Sequence, residues 1–568
     1  MRYKGLLACT AMIGLLSACG GGGESVGGIP APAPSPTPSN NSLADLRYSQ
    51  SFANDAAAMS AVWDRATGTG ISGSAKSATM AIAYNANTNG YSISVDGYSQ
   101  TFLPADQTST DDYDAIYSSN GARLTLIAKG YDNNIVTQYV RMGLLQRNNS
   151  GGSTQDTELT SFTYGLPTDA AMRPRTGSAA YNTQAFGAVS APGVEPKAFQ
   201  GSGQVDIDFA LGVFSGHSYL TEYGLVNGGG ASGGGIELTT VGQLSSTNAA
   251  LTGSAIYGGW DGTVTADLSG SLYGPSGQEL GATFSGQNAG GMSVTGSIVG
   301  QRDSTLTPAN LSFANMTQQQ TFYTRMSEYS GGNLTWQNSE TFLYSGYSSD
   351  EAGGQFTIAD KVAGAANFTT YRKTFNSAYY GTQDVTLELY QPGVSNTELP
   401  LTYASFGHWQ GSLPASYGGA VNSRWFVYGF TTPNYALANR TGSASYEGIA
   451  YGTGLGASGQ RYDLNGTSSL AVNFGSDTFT GALALSGRNT STSDLVDFGS
   501  TAFSGVINNR SNILTGDFSA GGAMGSAIYG QFYGPQGREV AGTFVFNAPQ
   551  GGAAAGTNLS GAFAATQK

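Results

Sequence analysis

Gly270-Ser271-Leu272-Tyr273-Gly274-Pro275-Ser276-Gly277-Gln278-Glu279-Leu280-Gly281-Ala282-Thr283-Phe284 recurs about 260 residues later as Gly530-Gln531-Phe532-Tyr533-Gly534-Pro535-Gln536-Gly537-Arg538-Glu539-Val540-Ala541-Gly542-Thr543-Phe544. In both copies Tyr-Gly-Pro-x-Gly is hairpin chemistry. Pro presets φ for the first corner of a turn, and the flanking Gly residues tolerate the remainder. On either side apolar residues alternate with small or polar ones, as in Leu272, Leu280, Ala282 and Phe284. Alternation with period two marks half-buried antiparallel strands.

Working outward, the lead-in Gly253-Ser254-Ala255-Ile256-Tyr257-Gly258 returns as Gly525-Ser526-Ala527-Ile528-Tyr529-Gly530, though at a different distance from the motif. Upstream, Tyr164-Gly165 and Arg175-Thr176-Gly177-Ser178-Ala179-Ala180-Tyr181 match Tyr428-Gly429 and Arg440-Thr441-Gly442-Ser443-Ala444-Ser445-Tyr446. The order is kept in both halves. This period is too long for a solenoid and suits a duplicated lobe.

Strand patterns predict eight strands per barrel segment. In the first they fall near 176–189, 201–211, 213–221, 234–243, 249–257, 262–273, 278–286 and 291–300. In the second they fall near 441–454, 462–474, 477–486, 498–507, 511–518, 524–533, 538–546 and 557–564. Eight strands close a barrel that side chains or one small ligand just fill. Closure also hides the edges of a Gly-rich sheet with few charges to protect them. Segments 43–163 and 303–427 precede the barrel segments 164–302 and 428–568 and are strand-rich but less regular. Asn54 to Thr67 reads as a short helix. Tyr139-Val140-Arg141-Met142-Gly143 and Tyr403-Ala404-Ser405-Phe406-Gly407 read as equivalent strands. The expected fold class is all-β: two lobes, each a β-rich handle domain followed by an eight-stranded antiparallel barrel.

Composition agrees. The 568 residues include 84 Gly and 32 Tyr, with only 11% charged residues and a formal charge of −13. That sign argues against nucleic acid and against an electrostatic grip on anionic lipid. With two His and two Cys, the composition argues against a Cys/His metal cluster. The chain ends in Gln567-Lys568, and its strands of Gly and Ser carry too little apolar surface to face lipid as an integral barrel.

The N-terminus reads as a signal. A basic start, Met1-Arg2-Tyr3-Lys4, precedes an apolar run from Gly5 to Leu16 that is shorter than the roughly 20 residues of a spanning helix. Leu16-Ser17-Ala18-Cys19 resembles a lipobox, so residues 1–18 are expected to be removed and the Cys19 thiol to receive diacylglycerol. Cys9 leaves with the signal, and no intramolecular disulfide remains possible. Residues 19–42, with Gly20–Gly23 and then Pro30, Pro32, Pro34, Pro36 and Pro38, read as a tether.

Together, the lipobox with its Gly run, the Arg-Thr-Gly-Ser-Ala-x-Tyr barrel starts, both Tyr-Gly-Pro hairpins and the closing Gly561-Ala562-Phe563 resemble the transferrin-binding protein B-like surface lipoproteins of Gram-negative bacteria. The resemblance implies a handle and a barrel in each lobe. It also implies lipid anchorage at the outer membrane, cell-surface exposure, and capture of a host iron protein, transferrin-like or haem-carrying, for a TonB-dependent channel. The long Lys/Glu-rich loops of that family are missing; the barrel loops are short and Gly-rich, for example Asn227 to Gly235. The resemblance therefore carries the fold further than it carries the ligand. A haem or small-solute binder using a barrel mouth, and an adhesin or immune-evasion protein, are the alternatives.

No catalytic constellation is expected, because His217 and His408 lie in different lobes with no mature thiol to join them, and no cofactor is expected. Glu279 and Glu539 are expected to pair with an Arg or to cap backbone N–H groups. Candidate contact residues are Tyr113 and Tyr117 among the acidic groups of Asp106 to Tyr117, Trp260 at a hairpin tip, and Arg173 in the lead to the first barrel.

Overall fold

The computed structural model describes residues 39–568 except 131–134, 227–231, 327–328, 339–340, 347–351, 378–380, 413–420, 439, 520–526 and 550–554. The signal segment, Cys19 and the tether as far as Pro38 lie outside the described residues, as does 227–231 of the short Gly-rich loop. No described helix is long and apolar enough to cross a membrane.

Both barrels close. The first runs through Ser178–Ser190, Lys197–Asp208, Val213–Gly224, Ser232–Leu244, Ala250–Gly259, Gly262–Tyr273, Glu279–Gln287 and Ser293–Arg302, with the last strand paired to the first. The second runs through Ser443–Leu455, Arg461–Asn473, Thr478–Asn489, Leu495–Asn508, Ile513–Phe518, Ala527–Tyr533, Glu539–Asn547 and Asn558–Gln567, and closes in the same way. Inside the first barrel, Tyr181, Phe199, Leu220, Leu238, Tyr257, Val264, Phe284 and Ile298, one from each strand, join a single buried cluster. The interior is thus a packed core of side chains, as eight strands allow.

Each barrel follows a large antiparallel handle sheet, a ten-stranded one in the first lobe and a nine-stranded one in the second. The helix expected over Asn54 to Thr67 is instead the central strand Gln50–Asp64. Ala56, Ala57, Ala58 and Met59 favour a helix locally, but twelve residues of this strand pair in register with Thr154–Gly165, and its other edge takes Gly70–Ser77 and Met80–Asn85. Ladder bonds on both edges outweigh propensities worth tenths of a kcal/mol per residue.

The hairpin strands are more deeply buried than half. In Glu279–Gln287 and Ser293–Arg302 nearly every residue is buried on both faces. One face fills the barrel; the other lies under the handle, where Gly281 lies against Val140 and Thr163 and Thr295 donates to the Ala57 carbonyl. Small hydroxyl side chains suit this contact because they let two sheets approach closely.

The duplicated motifs meet in space. Tyr181 donates its hydroxyl to the Gly277 carbonyl, and Tyr446 does the same to Gly537, both at 2.6 Å. Thr168 and Thr432 donate to the carbonyls of Gly274 and Gly534, again at 2.6 Å. The Glu279 carboxylate accepts backbone N–H groups of Gln138, Tyr139 and Val140 at 2.7, 2.8 and 3.0 Å. Glu539 accepts those of Thr402, Tyr403 and Ala404 at 2.7, 2.9 and 2.7 Å. Here the capping alternative is the one found. The two strand segments read as equivalent, at Tyr139 and Tyr403, are the ones so held.

Candidate functional site

Three hairpin ends gather at one end of the first barrel: the turn 191–196 before Lys197, the end of Val213–Gly224, and Gly259-Trp260-Asp261-Gly262. Lys197 ties them together. Its Nζ lies 2.9 Å from Glu222 Oε2 and 2.6 Å from Asp261 Oδ2. Tyr257 donates its hydroxyl to the other oxygen of Glu222, and Glu195 accepts the Val226 N–H at 2.7 Å. Burial, reinforced by the Glu222 carboxylate, pushes the Tyr257 hydroxyl well above the usual tyrosine range. Burial opposes charge on Lys197, but Asp261 and Glu222 outweigh it and hold the ammonium above the usual lysine range. A fully buried Glu222 that is paired and hydrogen-bonded makes a stiff mount, since a lone buried charge would be costly.

Trp260 stands on this mount, 64% exposed. On the same strand system the outward side chains of Val213–Gly224 present Tyr219, 67% exposed, and Tyr223, with Leu225 following. His217 packs edge-on against Tyr219 at 4.7 Å and reaches Glu237 at 3.4 Å. Exposed aromatic groups on a braced rim bind a protein surface at low entropic cost, because the backbone is already ordered. The period-two pattern around Tyr219 could have marked it as outward-facing.

The other candidates fall elsewhere. Tyr117 is 7% exposed and packs edge-on against Tyr91 and Phe102 in the handle core, so its ring is turned away from solvent. Tyr117 is the one buried residue of its strand, Asp114–Ser119. Tyr113 is half-buried with Lys129 Nζ 4.9 Å from its ring centroid. Asp111 accepts the N–H groups of Tyr113 and Asp114, and those donors hold its carboxyl below the usual range. Asp106 likewise accepts from Leu103. Half of the acidic cluster thus serves its own turns. Arg173 is also buried, at 7% exposure, and donates to the Ser246 carbonyl in a turn at the barrel end opposite Trp260. It closes that end of the barrel, and the lead segment does not present it to a partner. The four residues therefore do not form one patch.

His217 and His408 are strand residues. His408, 2% exposed, stacks on Trp425 at 4.1 Å and contacts Glu388 and Ser423. Among the described residues no group of three His, Cys, Asp or Glu side chains is placed to hold a metal ion.

Residues 433–567 match a family model described as the C-lobe and N-lobe β-barrels of transferrin-binding protein B. No protein of curated function matches the chain. Among solved structures, transferrin-binding protein B of Haemophilus parasuis Hp5 is 15% identical over 78% of this chain and 85% of its own, with a TM-score of 0.26. Intact Ap-TbpB with its N and C lobes is 13% identical over 90% of this chain and 94% of its own, TM-score 0.27. Isotype 1 of the protein from serogroup B Neisseria meningitidis is 16% identical over 78% and 89%, TM-score 0.24. Those scores are too low to carry residue roles across.

Proposed function

We propose, from the premise that residues 433–567 belong to the barrel family of transferrin-binding protein B, that this chain is a surface lipoprotein that captures an iron- or haem-carrying protein. Cys19 would anchor it to the outer membrane, and a TonB-dependent channel would receive the cargo. The observation that carries the reading is Trp260, held out to solvent on a hairpin fixed by Lys197, Glu222 and Asp261. A large aromatic side chain that stays mostly exposed on a hairpin held by these charges is suited to a protein partner. The acidic chain would favour a basic patch on that partner.

The test uses intact cells. Labelled palmitate should enter the wild-type protein and not the Cys19→Ser variant. Cells displaying the full chain should retain transferrin or a haem protein, and Trp260→Ala should weaken retention about tenfold or more. Absence of palmitate defeats the anchor; undiminished retention by the tryptophan variant defeats the site; retention of neither carrier class defeats the nutritional role.

A further inference from the structure

A groove of about 540 Å³ lies between the first barrel and the second lobe, where Val241 faces Leu311, Phe430, Pro433 and Pro535. One strand of the second handle, Gln320–Met326, contributes Tyr323 and Arg325 to it. Phe322, Thr324 and Met326 are buried beneath that strand, so Thr321, Tyr323 and Arg325 occupy its other face.

Among the described residues lining the groove, Arg325 alone is charged. It is half-buried, its Nε is buried without a hydrogen-bond partner, and no carboxylate of a described residue pairs with it. In a chain with 37 acidic and 24 basic side chains, a guanidinium left so is conspicuous. A partly desolvated cation has lost water without gaining a counter-charge, and an incoming anion would repay that loss.

The other lobe supplies a contrast. Arg325 lies opposite Val427, which lies opposite Phe406, two residues beyond the Glu539-bound Ala404. In the first handle Asp55 lies opposite Thr163, which lies opposite Met142, two residues beyond the Glu279-bound Val140. Asp55 and Arg325 thus hold the same lattice position with opposite charge. Asp55 is satisfied by its own barrel, accepting from Ser269 Oγ at 2.8 Å. Arg325 has no such partner and opens on a groove.

We infer that this groove binds a small amphipathic carboxylate, the head group on the Arg325 guanidinium and the apolar body against Leu311, Phe430 and Pro535. The planar fork of arginine matches a carboxylate in a bidentate way. The volume lies within the range of small-molecule sites. The inference is independent of the macromolecule proposed above.

Equilibrium dialysis of the full-length protein against 3-phenylpropionate tests it, with the uncharged 3-phenylpropanol as comparator. Saturable binding of the acid is expected, with the alcohol weaker by about tenfold or more. Arg325→Met should weaken the acid to the level of the alcohol, and Arg325→Lys should restore part of the difference. If Arg325→Met does not fold, the guanidinium Nε–H resonance of the native protein should still shift on titration with the acid. Equal binding of acid and alcohol, an unmoved resonance, or no saturable binding would overturn the assignment. Inorganic phosphate binding as tightly as the acid would overturn its apolar half.

Discussion

Tyr446 donates its hydroxyl to the Gly537 carbonyl at 2.6 Å, across a sequence separation of 91 residues. The bond joins the first strand of the second barrel to the hairpin that identifies it. The pair Tyr181 and Gly277 repeats the arrangement at 2.6 Å in the first barrel. Both tyrosines are fully buried, so the hydroxyl has no water to turn to.

Tyr446→Phe should therefore cost about 1–2 kcal/mol, since it leaves a buried carbonyl without its donor. Tyr181→Phe should cost a similar amount, and the two should add because they lie in separate barrels. Chemical denaturation of the single and double variants checks this. A double variant no weaker than either single one would show that the bonds are incidental.

Gly274 and Gly97 both have positive φ, +81° and +88°, but only Gly274 is crowded. A Cβ there would come within 2.6 Å of the Tyr139 ring, whereas at Gly97 nothing lies within 4 Å. Gly97→Ala should cost roughly 1 kcal/mol, from the left-handed backbone alone. Gly274→Ala should cost about 2 kcal/mol more, because the ring that seats the handle on the barrel must move. Equal losses would mean that Tyr139 yields freely.

Trp260→Ala should leave thermal stability within about 0.5 kcal/mol of wild type, as a mostly exposed side chain implies. Glu222→Ala should cost about 2 kcal/mol or more, because it leaves the buried Tyr257 hydroxyl without its acceptor and Lys197 with Asp261 alone. Binding and stability should thus separate at this rim: the first variant loses partner capture alone, the second loses fold. A large drop in melting temperature for Trp260→Ala would place the indole in the core.

Asp96 should titrate below the ordinary aspartate range. The Lys76 ammonium at 2.6 Å is the main cause, with the Thr79 N–H adding to it. A depressed folded value means that the ion pair stabilises the fold above the unfolded aspartate value, about 3.9. That contribution is lost as pH falls through the folded value. Carboxyl carbon NMR should show a low midpoint that rises in Lys76→Ala and in high salt. A midpoint indifferent to both would rule out the pairing.

The hairpins and barrel strands were legible because Tyr-Gly-Pro-x-Gly and period-two alternation are local properties of the chain. The barrel strands begin and end within about four residues of the expected spans, with the largest offset at the start of Lys197–Asp208. The same reasoning failed at Ala56–Met59, where local composition favours a helix and the partners that impose a strand lie about 100 residues away. It also could not tell Tyr113 from Tyr117: Tyr117 lies in strand Asp114–Ser119 and turns into the handle core, whereas Tyr113 lies just before that strand, and only the tertiary contacts separate the two.

By itself the sequence determined the duplication, the strand and turn order, and the recurrence of a glutamate at one place in each repeat. These rest on backbone preferences that act between near neighbours. Only the tertiary structure decided what those glutamates hold, that Arg173 and Tyr117 are enclosed while Trp260 is not, and that Asp55 and Arg325 share one position. Burial and charge pairing depend on which distant strands are laid together, and no local pattern encodes that distance.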